Sequence, residues 1–173
     1  RHLDQRHVGC GAIGAQHPLG LARGAACVGD GGDICGLEIG RGKRLGLEPL
    51  IAGQYIYGLV HRELEREIIP AAVDLGVGIT AYSPLGGGLL TGKYKGMQAP
   101  EAGTRHSFRT QVDGPRFWNE DGFKTAKVLE QVSKASGIPM IKLAIGWPLR
   151  RKFVSSVIIG VRTVEQLKTN LEV

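Results

Sequence analysis

Val77-Gly-Ile-Thr-Ala-Tyr82-Ser83-Pro84-Leu85-Gly86-Gly87-Gly88-Leu-Leu-Thr-Gly-Lys93-Tyr94 is the stretch on which the rest of the chain turns. Its first six residues are rich in β-branched and aromatic side chains and read as a short buried strand. Ser83-Pro84 ends that strand, because proline lacks a ladder donor and restrains the residue before it. Three glycines follow, with no Cβ to keep a ligand from the backbone. Lys93 places a cation just beyond them. A strand that opens into small residues, a hydroxyl, free N–H groups and a lysine has the make-up of a phosphate cradle. A plain glycine-rich turn between strand and helix accounts for the same spacing, and the residues alone leave both readings open.

Upstream, Leu50-Ile51-Ala52 predicts a strand ending near Gln54. Residues 61–75 repeat Leu64, Ile68, Ala71, Ala72 and Leu75 at three- and four-residue steps, which predicts an amphipathic helix. Pro70 should bend it and Gly76 should cap it. Glu63, Glu65, Glu67 and His61 read as a solvated helix face rather than an acid–base site.

Downstream, residues 95–119 read as a loop, broken by Pro100, Gly103, Gly114 and Pro115. Arg105 lies within it as either a ligand contact or a solvated arginine. Arg116-Phe117-Trp118 reads as either a pocket lining or a hydrophobic plug. Helices are predicted over 121–136, ended by Gly137, and over 140–149, opened by Pro139, with Pro148 distorting the end. Trp147 is read as core. Residues 154–159 predict a buried parallel strand. After it, Gly160-Val-Arg162-Thr163 turns into a helix with Thr163 as N-cap and Glu165 in its first turn. A helix N-terminus beside a guanidinium suits a phosphate monoester. Gln166 and Asn170, four residues apart, fall on one helix face.

These motifs together resemble the C-terminal half of the aldo-keto reductase family. The resemblance is carried by A-Y-S-P-L-G-G-G-L-L-T-G-K-Y, by Gln54-Tyr-Ile-Tyr57, and by Gly160-Val-Arg-Thr163 with Gln166 and Asn170. It covers about residues 44–173. It implies an α/β fold, the part of a (β/α)8 barrel holding strands six to eight and their helices. It implies NADP(H) as cofactor and a carbonyl compound as substrate. Tyr82 would stack on the nicotinamide ring, and Gln54 would hydrogen-bond the carboxamide. Ser83, Pro84, Leu85 and Gly86 would wrap the pyrophosphate, and Lys93 and Arg105 would meet phosphate charge. Gly160 would approach the cofactor, Arg162 would meet the adenosine 2′-phosphate, and Gln166 and Asn170 would touch the adenine side. In the family a tyrosine donates a proton while hydride passes to an aldehyde or ketone. The family's catalytic Asp, Tyr, Lys and His belong to the N-terminal half, so no catalytic residue is assigned here. The resemblance thus implies a truncated chain carrying the cofactor half. For it alone, weak or absent binding, no turnover, and self-association through exposed half-barrel edges are expected. The alternative is a non-catalytic nucleotide-binding or regulatory member of that family.

Residues 1–43 are a different kind of text. They hold 11 of the 27 glycines, all three cysteines and three of the five histidines, but no aromatic residue and no Ser, Thr or Asn. So few large apolar side chains predict poor order. A shifted reading frame or a misjoined coding segment would produce this bias. Gly9-Cys-Gly11-Ala-Ile-Gly14 matches G-x-G-x-x-G, but no buried strand precedes it and Pro18 and Gly20 follow, so it is read as chance. His7-Val-Gly-Cys10 faintly resembles the start of the family's fifth strand. Gly11 and Ala12 stand where a carboxamide-binding Ser and Asn would be, so that contact is not carried over.

Bulk properties set limits. A chain of 173 residues with 42% apolar side chains is enough for one domain with a core. A net charge of +6 points to an anionic partner. The cations are scattered and not interleaved with aromatics, which argues against nucleic acid and for a phosphorylated small molecule. Neither a membrane span nor a signal peptide is read, and a cytoplasmic location is the default. Three widely spaced cysteines offer neither a disulfide framework nor a zinc site.

Overall fold

The computed structural model describes residues 45, 46 and 48–173, together with the backbone of Ala26–Val28. Four parallel strands form one sheet in the order β1-β2-β3-β4. They are β1 (Ala26–Val28), β2 (Ala52–Ile56), β3 (Gly78–Tyr82) and β4 (Val154–Ile158). Spatial order equal to chain order, with helical crossovers, is consistent with part of a (β/α)8 barrel. The helices are α1 (Ile68–Leu75), α2 (Arg105–Phe108), α3 (Thr110–Phe117), α4 (Glu120–Ser136), α5 (Met140–Leu149) and α6 (Val164–Leu171).

The glycine-rich N-terminal segment enters this fold through β1, whose three residues pair with Ala52–Gln54. The poor order expected for the remainder of residues 1–43, the G-x-G-x-x-G match and the echo at His7–Cys10 all lie outside the described residues. Strand β2 thus lies between Ala26–Val28 and β3.

Alternation along the strands explains why they sit where they do. Tyr55, Ile79 and Ala81 point to one face and are buried against Leu64, Ile69 and Ala72. Each large apolar side chain buried there is worth about 1.5–3 kcal/mol. Ile56 and Tyr82 belong to the other face, where Ile56 packs on Leu89 and Phe117.

Several expected boundaries move. Strand β2 begins at Ala52, so Gln54 lies mid-strand rather than at the strand's exit; Ile51, read as strand core, is exposed. The predicted helix over 61–75 is two pieces. Glu63–Glu65 makes a 3-10 turn that buries Leu64, and α1 begins only at Ile68. Pro70 therefore falls in the first turn of α1, where its missing N–H costs nothing, instead of bending a longer helix. Gly76 closes α1 in the left-handed conformation, as expected. The stretch 95–119 is not all loop, since α2 and α3 lie in it with Pro115 inside α3. Helix α4 is capped by Asn119, whose side chain accepts from the Gly122 N–H at 2.9 Å, and ends at Gly137. Helix α5 runs through the buried Pro148 to Leu149. No helix among the described residues is long and apolar enough to cross a membrane.

Candidate functional site

The carboxyl ends of β3 and β4 lie side by side, because Tyr82 is the register partner of Ile158. On the other side Tyr82 pairs with Ile56, two residues beyond Gln54. Alternation therefore puts Gln54 and Tyr82 on the same sheet face. Gln54 is half-buried between Val28 and Thr80 in the ladder. Tyr82 is half-buried against the Ile56–Leu89–Phe117 cluster.

Beyond Tyr82 the backbone takes an unusual path. Ser83 has φ 57°, the one non-glycine residue with positive φ among those described. Left-handed backbone costs an L-residue roughly 1–2 kcal/mol, so surrounding structure must hold it there. Gly86, Gly87 and Gly88 follow with φ of 57°, 66° and 95°. Two expected free donors of this loop are in use: the Gly86 N–H donates to the Ser83 carbonyl and the Gly88 N–H to that of Leu85, each at 3.0 Å. Pro84 is buried and Leu85 packs into the cluster of Leu90, Leu129 and Ala144.

The glycine turn gathers basic side chains. A Cβ on Gly88 would sit 3.2 Å from the Lys93 Nζ. A Cβ on Gly87 would sit 2.9 Å from His106 Nε2 and 3.6 Å from Arg105 Nε. Lys93 is exposed, 4.8 Å above the Tyr94 ring, and no carboxylate pairs with it among the described residues. Arg105 is partly committed: its Nε donates to Asp113 Oδ2 at 2.7 Å. Arg109 approaches the same buried carboxylate at 3.5 Å.

The second turn comes up against the first loop. Arg162 Nη1 donates to the Gly103 carbonyl at 3.0 Å, two residues before Arg105. Thr163 caps α6 by accepting from the Gln166 N–H, and Gln166 Oε1 accepts from the Arg162 N–H at 2.9 Å. Gln166 is thus partly used as a cap. Asn170, on the same side of the helix, is buried while Gln166 is exposed. Among the described residues a Cβ on Gly160 would meet nothing within 4 Å, so no described neighbour requires a glycine there.

Trp118 packs at 4.8–4.9 Å against Tyr94, His106 and Phe123, and Phe117 is wholly buried, so this pair is the plug. Trp147 is core as expected, 5.3 Å from Tyr57, with Arg62 and Arg151 guanidiniums over its ring. Glu65 is more than solvated surface: it accepts from the Tyr57 hydroxyl and from Arg62.

Two members of the cluster escaped the sequence reading. Asp113 carried a weak signal, four residues from Arg109 and eight from Arg105, in a stretch read as loop. His106 carried none, being a lone histidine in apparent loop. It is 1% exposed, and its Nε2 lies 3.2 Å from the Gly86 carbonyl oxygen. A carbonyl only accepts, so Nε2 carries the proton. Burial holds this imidazole below its ordinary 6.5, outweighing the opposing pull of the Gly86 bond and Asp113.

The donor set fits an anionic ligand. Lys93 and Arg105 border a backbone turn whose middle a Cβ would obstruct, Arg162 holds the segment just before Arg105, and an aromatic ring stands at the end of the strand before the turn. A parallel sheet flanked by helices defines the class as α/β. The profile of the Aldo/keto reductase family matches residues 38–173, and the chain belongs to that family. The match starts slightly before the expected boundary at residue 44. Among relatives, the uncharacterized oxidoreductase YrpG of Bacillus subtilis is 36% identical over 123 residues, 71% of this chain and 35% of that one. L-glyceraldehyde 3-phosphate reductase of Escherichia coli is 32% identical over 127 residues, 72% of this chain and 36% of that one. A probable voltage-gated potassium channel subunit beta of Arabidopsis thaliana is 30% identical over 135 residues, 77% of this chain and 41% of that one. The chain thus spans about a third of the length of the curated relatives it matches.

Proposed function

We propose that this chain supplies the NADP(H) grip of an oxidoreductase acting on aldehydes or ketones. The observation that carries the reading is the pairing of Tyr82 with Ile158, which sets the glycine turn and the Arg162 turn beside each other. Arg162 also bonds the carbonyl of Gly103, in the segment that leads into Arg105. In this reading Tyr82 offers its ring to the nicotinamide and Gln54 an amide that both donates and accepts. Ser83, Pro84, Leu85 and Gly86 shape the pyrophosphate seat, with Lys93 and the free end of Arg105 supplying charge. Gly160 leaves room for close approach. Arg162 meets the 2′-phosphate, which favours NADP(H) over NAD(H). Gln166 and Asn170 flank the adenine. Bound reduced nicotinamide supplies the hydride for a carbonyl carbon. No described residue is assigned as proton donor, so the chain by itself binds without turning over. The relative named L-glyceraldehyde 3-phosphate reductase supports an aldehyde as the substrate class.

The test is a fluorescence titration of the full chain with NADPH and NADH, followed by addition of an aldehyde. Weak binding with preference for NADPH is expected, and no oxidation of it. Arg162→Ala should weaken NADPH about tenfold or more and leave NADH nearly unchanged, as loss of a charge-assisted bond implies. Equal affinity for both dinucleotides would remove Arg162 from the site. A second reading, a nucleotide-binding regulatory subunit, is favoured by the relative named as a probable channel subunit. NADPH binding persisting without turnover, even when aldehyde is present in excess, is common to both; turnover by the chain itself would exclude the second.

A further inference from the structure

His106 combines features that the cofactor reading does not use. Its ring is enclosed edgewise by Tyr94 at 5.4 Å and Phe117 at 6.4 Å, and tilted against Trp118 at 4.8 Å. Its Nε2–H is the side-chain donor to the Gly86 carbonyl. The same nitrogen would lie 2.9 Å from a Cβ on Gly87, so the ring touches the turn's backbone directly. Among the described residues its other nitrogen, Nδ1, is buried without a partner, as is the Tyr94 hydroxyl. One half of the imidazole thus supports the turn, and the other half has nothing to receive a proton's charge.

The geometry points to His106 as a positioning residue: the neutral imidazole props the Gly86–Gly88 turn in its left-handed shape, and a second proton on the ring undoes the anion site. The inference rests on the reading of that turn as the pyrophosphate seat. A proton on Nδ1 would place a charge and an unmet donor in an apolar enclosure. The charged groups around it do not offset this. Lys93 from the loop and Arg105 from its own helix oppose a further positive charge; Asp113 from α3 favours it but is already held by Arg105 and Arg109. Tyr94, the remaining titratable neighbour, is aligned by its ring edge. The sign follows: with the folded value depressed, His106's contribution is complete above the ordinary 6.5 and is lost as pH falls through the lower folded value.

The experiment uses the full chain with NADP+ as probe, by calorimetry between about pH 8 and about pH 5. Native affinity should fall toward the acid end. His106→Gln, whose amide nitrogen can replace the Nε2 donor, should bind within about threefold of native and show a flatter profile. His106→Leu should bind roughly five- to tenfold more weakly at neutral pH, the loss of one buried hydrogen bond. Amide exchange at Gly86 and Gly88 should quicken in His106→Leu and not in His106→Gln. Affinity that rises as pH falls, in native but not in His106→Gln, would overturn the proposal by showing the imidazolium meeting phosphate itself. Identical profiles for native and His106→Leu would also overturn it. If NADP+ binds at no pH, the cofactor reading fails, and amide exchange alone decides the role of His106. Should His106→Leu not fold, His106→Asn takes its place, because its shorter amide does not reach Gly86.

Discussion

Tyr57 is fully buried, and its hydroxyl donates to Glu65 at 2.9 Å. Burial, then the Glu65 bond, pushes the phenol up to about 12 from 10.0. Arg62, bonded through two nitrogens, holds the Glu65 carboxyl below its usual range. The two groups set opposite ends of a pH window. A raised phenol contributes stability that is complete below 10.0 and is lost as pH rises through about 12. A depressed carboxyl contributes stability that is complete above 4.5 and is lost as pH falls through its lower folded value. Tyr57→Phe should keep the packing on Trp147 and Phe153 while losing about 1 kcal/mol at neutral pH. Urea unfolding measures that loss. The alkaline absorbance change of the phenols should lose its latest-titrating component in the same variant. None of this was legible beforehand, because Glu65 sits in a run of charges that reads as a solvated face and only the fold brings Tyr57 beneath it.

At the scale of elements, the parts with local signals were legible and the parts set by tertiary contact were not. Gly76 and Gly137 both take the left-handed cap, and Thr163 caps α6, because those conformations depend on the residue itself. Helices α2 and α3 were missed, because Gly114 and Pro115 argue against helix by propensity. The buried Asp113, joined to Arg105 and Arg109, and the buried Phe117 hold that segment instead. Strand β2 was misplaced by two residues because apolar Ile51 resembles a core position, whereas pairing with β3 fixes the register from Ala52 onward. In the site, the residues on strand ends and turns were identifiable as motifs, while His106 was invisible as a lone residue. Helix α4 offers a direct measurement. Asn119 is its side-chain cap, so Asn119→Ala should cost about 1 kcal/mol and Asn119→Asp much less. Thermal melts of the three proteins would show whether the ranking holds.

At the scale of the whole molecule, apolar surface is left in the open on one side. Strand β4 has a neighbour only in β3 among the described residues. Its Ile158 is exposed, and Val161, Val164, Leu167 and Leu171 are exposed beyond it. Exposed apolar side chains clustered in sequence after a strand whose outer edge has no partner among the described residues promote association between copies. The full chain should therefore run larger than a monomer in light scattering coupled to gel filtration. Leu167→Lys together with Leu171→Lys should shift it toward the monomer. A monomer at every concentration with the native surface would contradict this.

The two tryptophans divide the molecule between them. Trp118 belongs to the aromatic plug beneath the glycine turn, and Trp147 to the opposite layer, with two guanidiniums over its ring. Each is therefore an intrinsic lamp for one side of the sheet. With either one replaced by phenylalanine, the emission of the other reports whether the two layers come apart together or in sequence when the chain is heated.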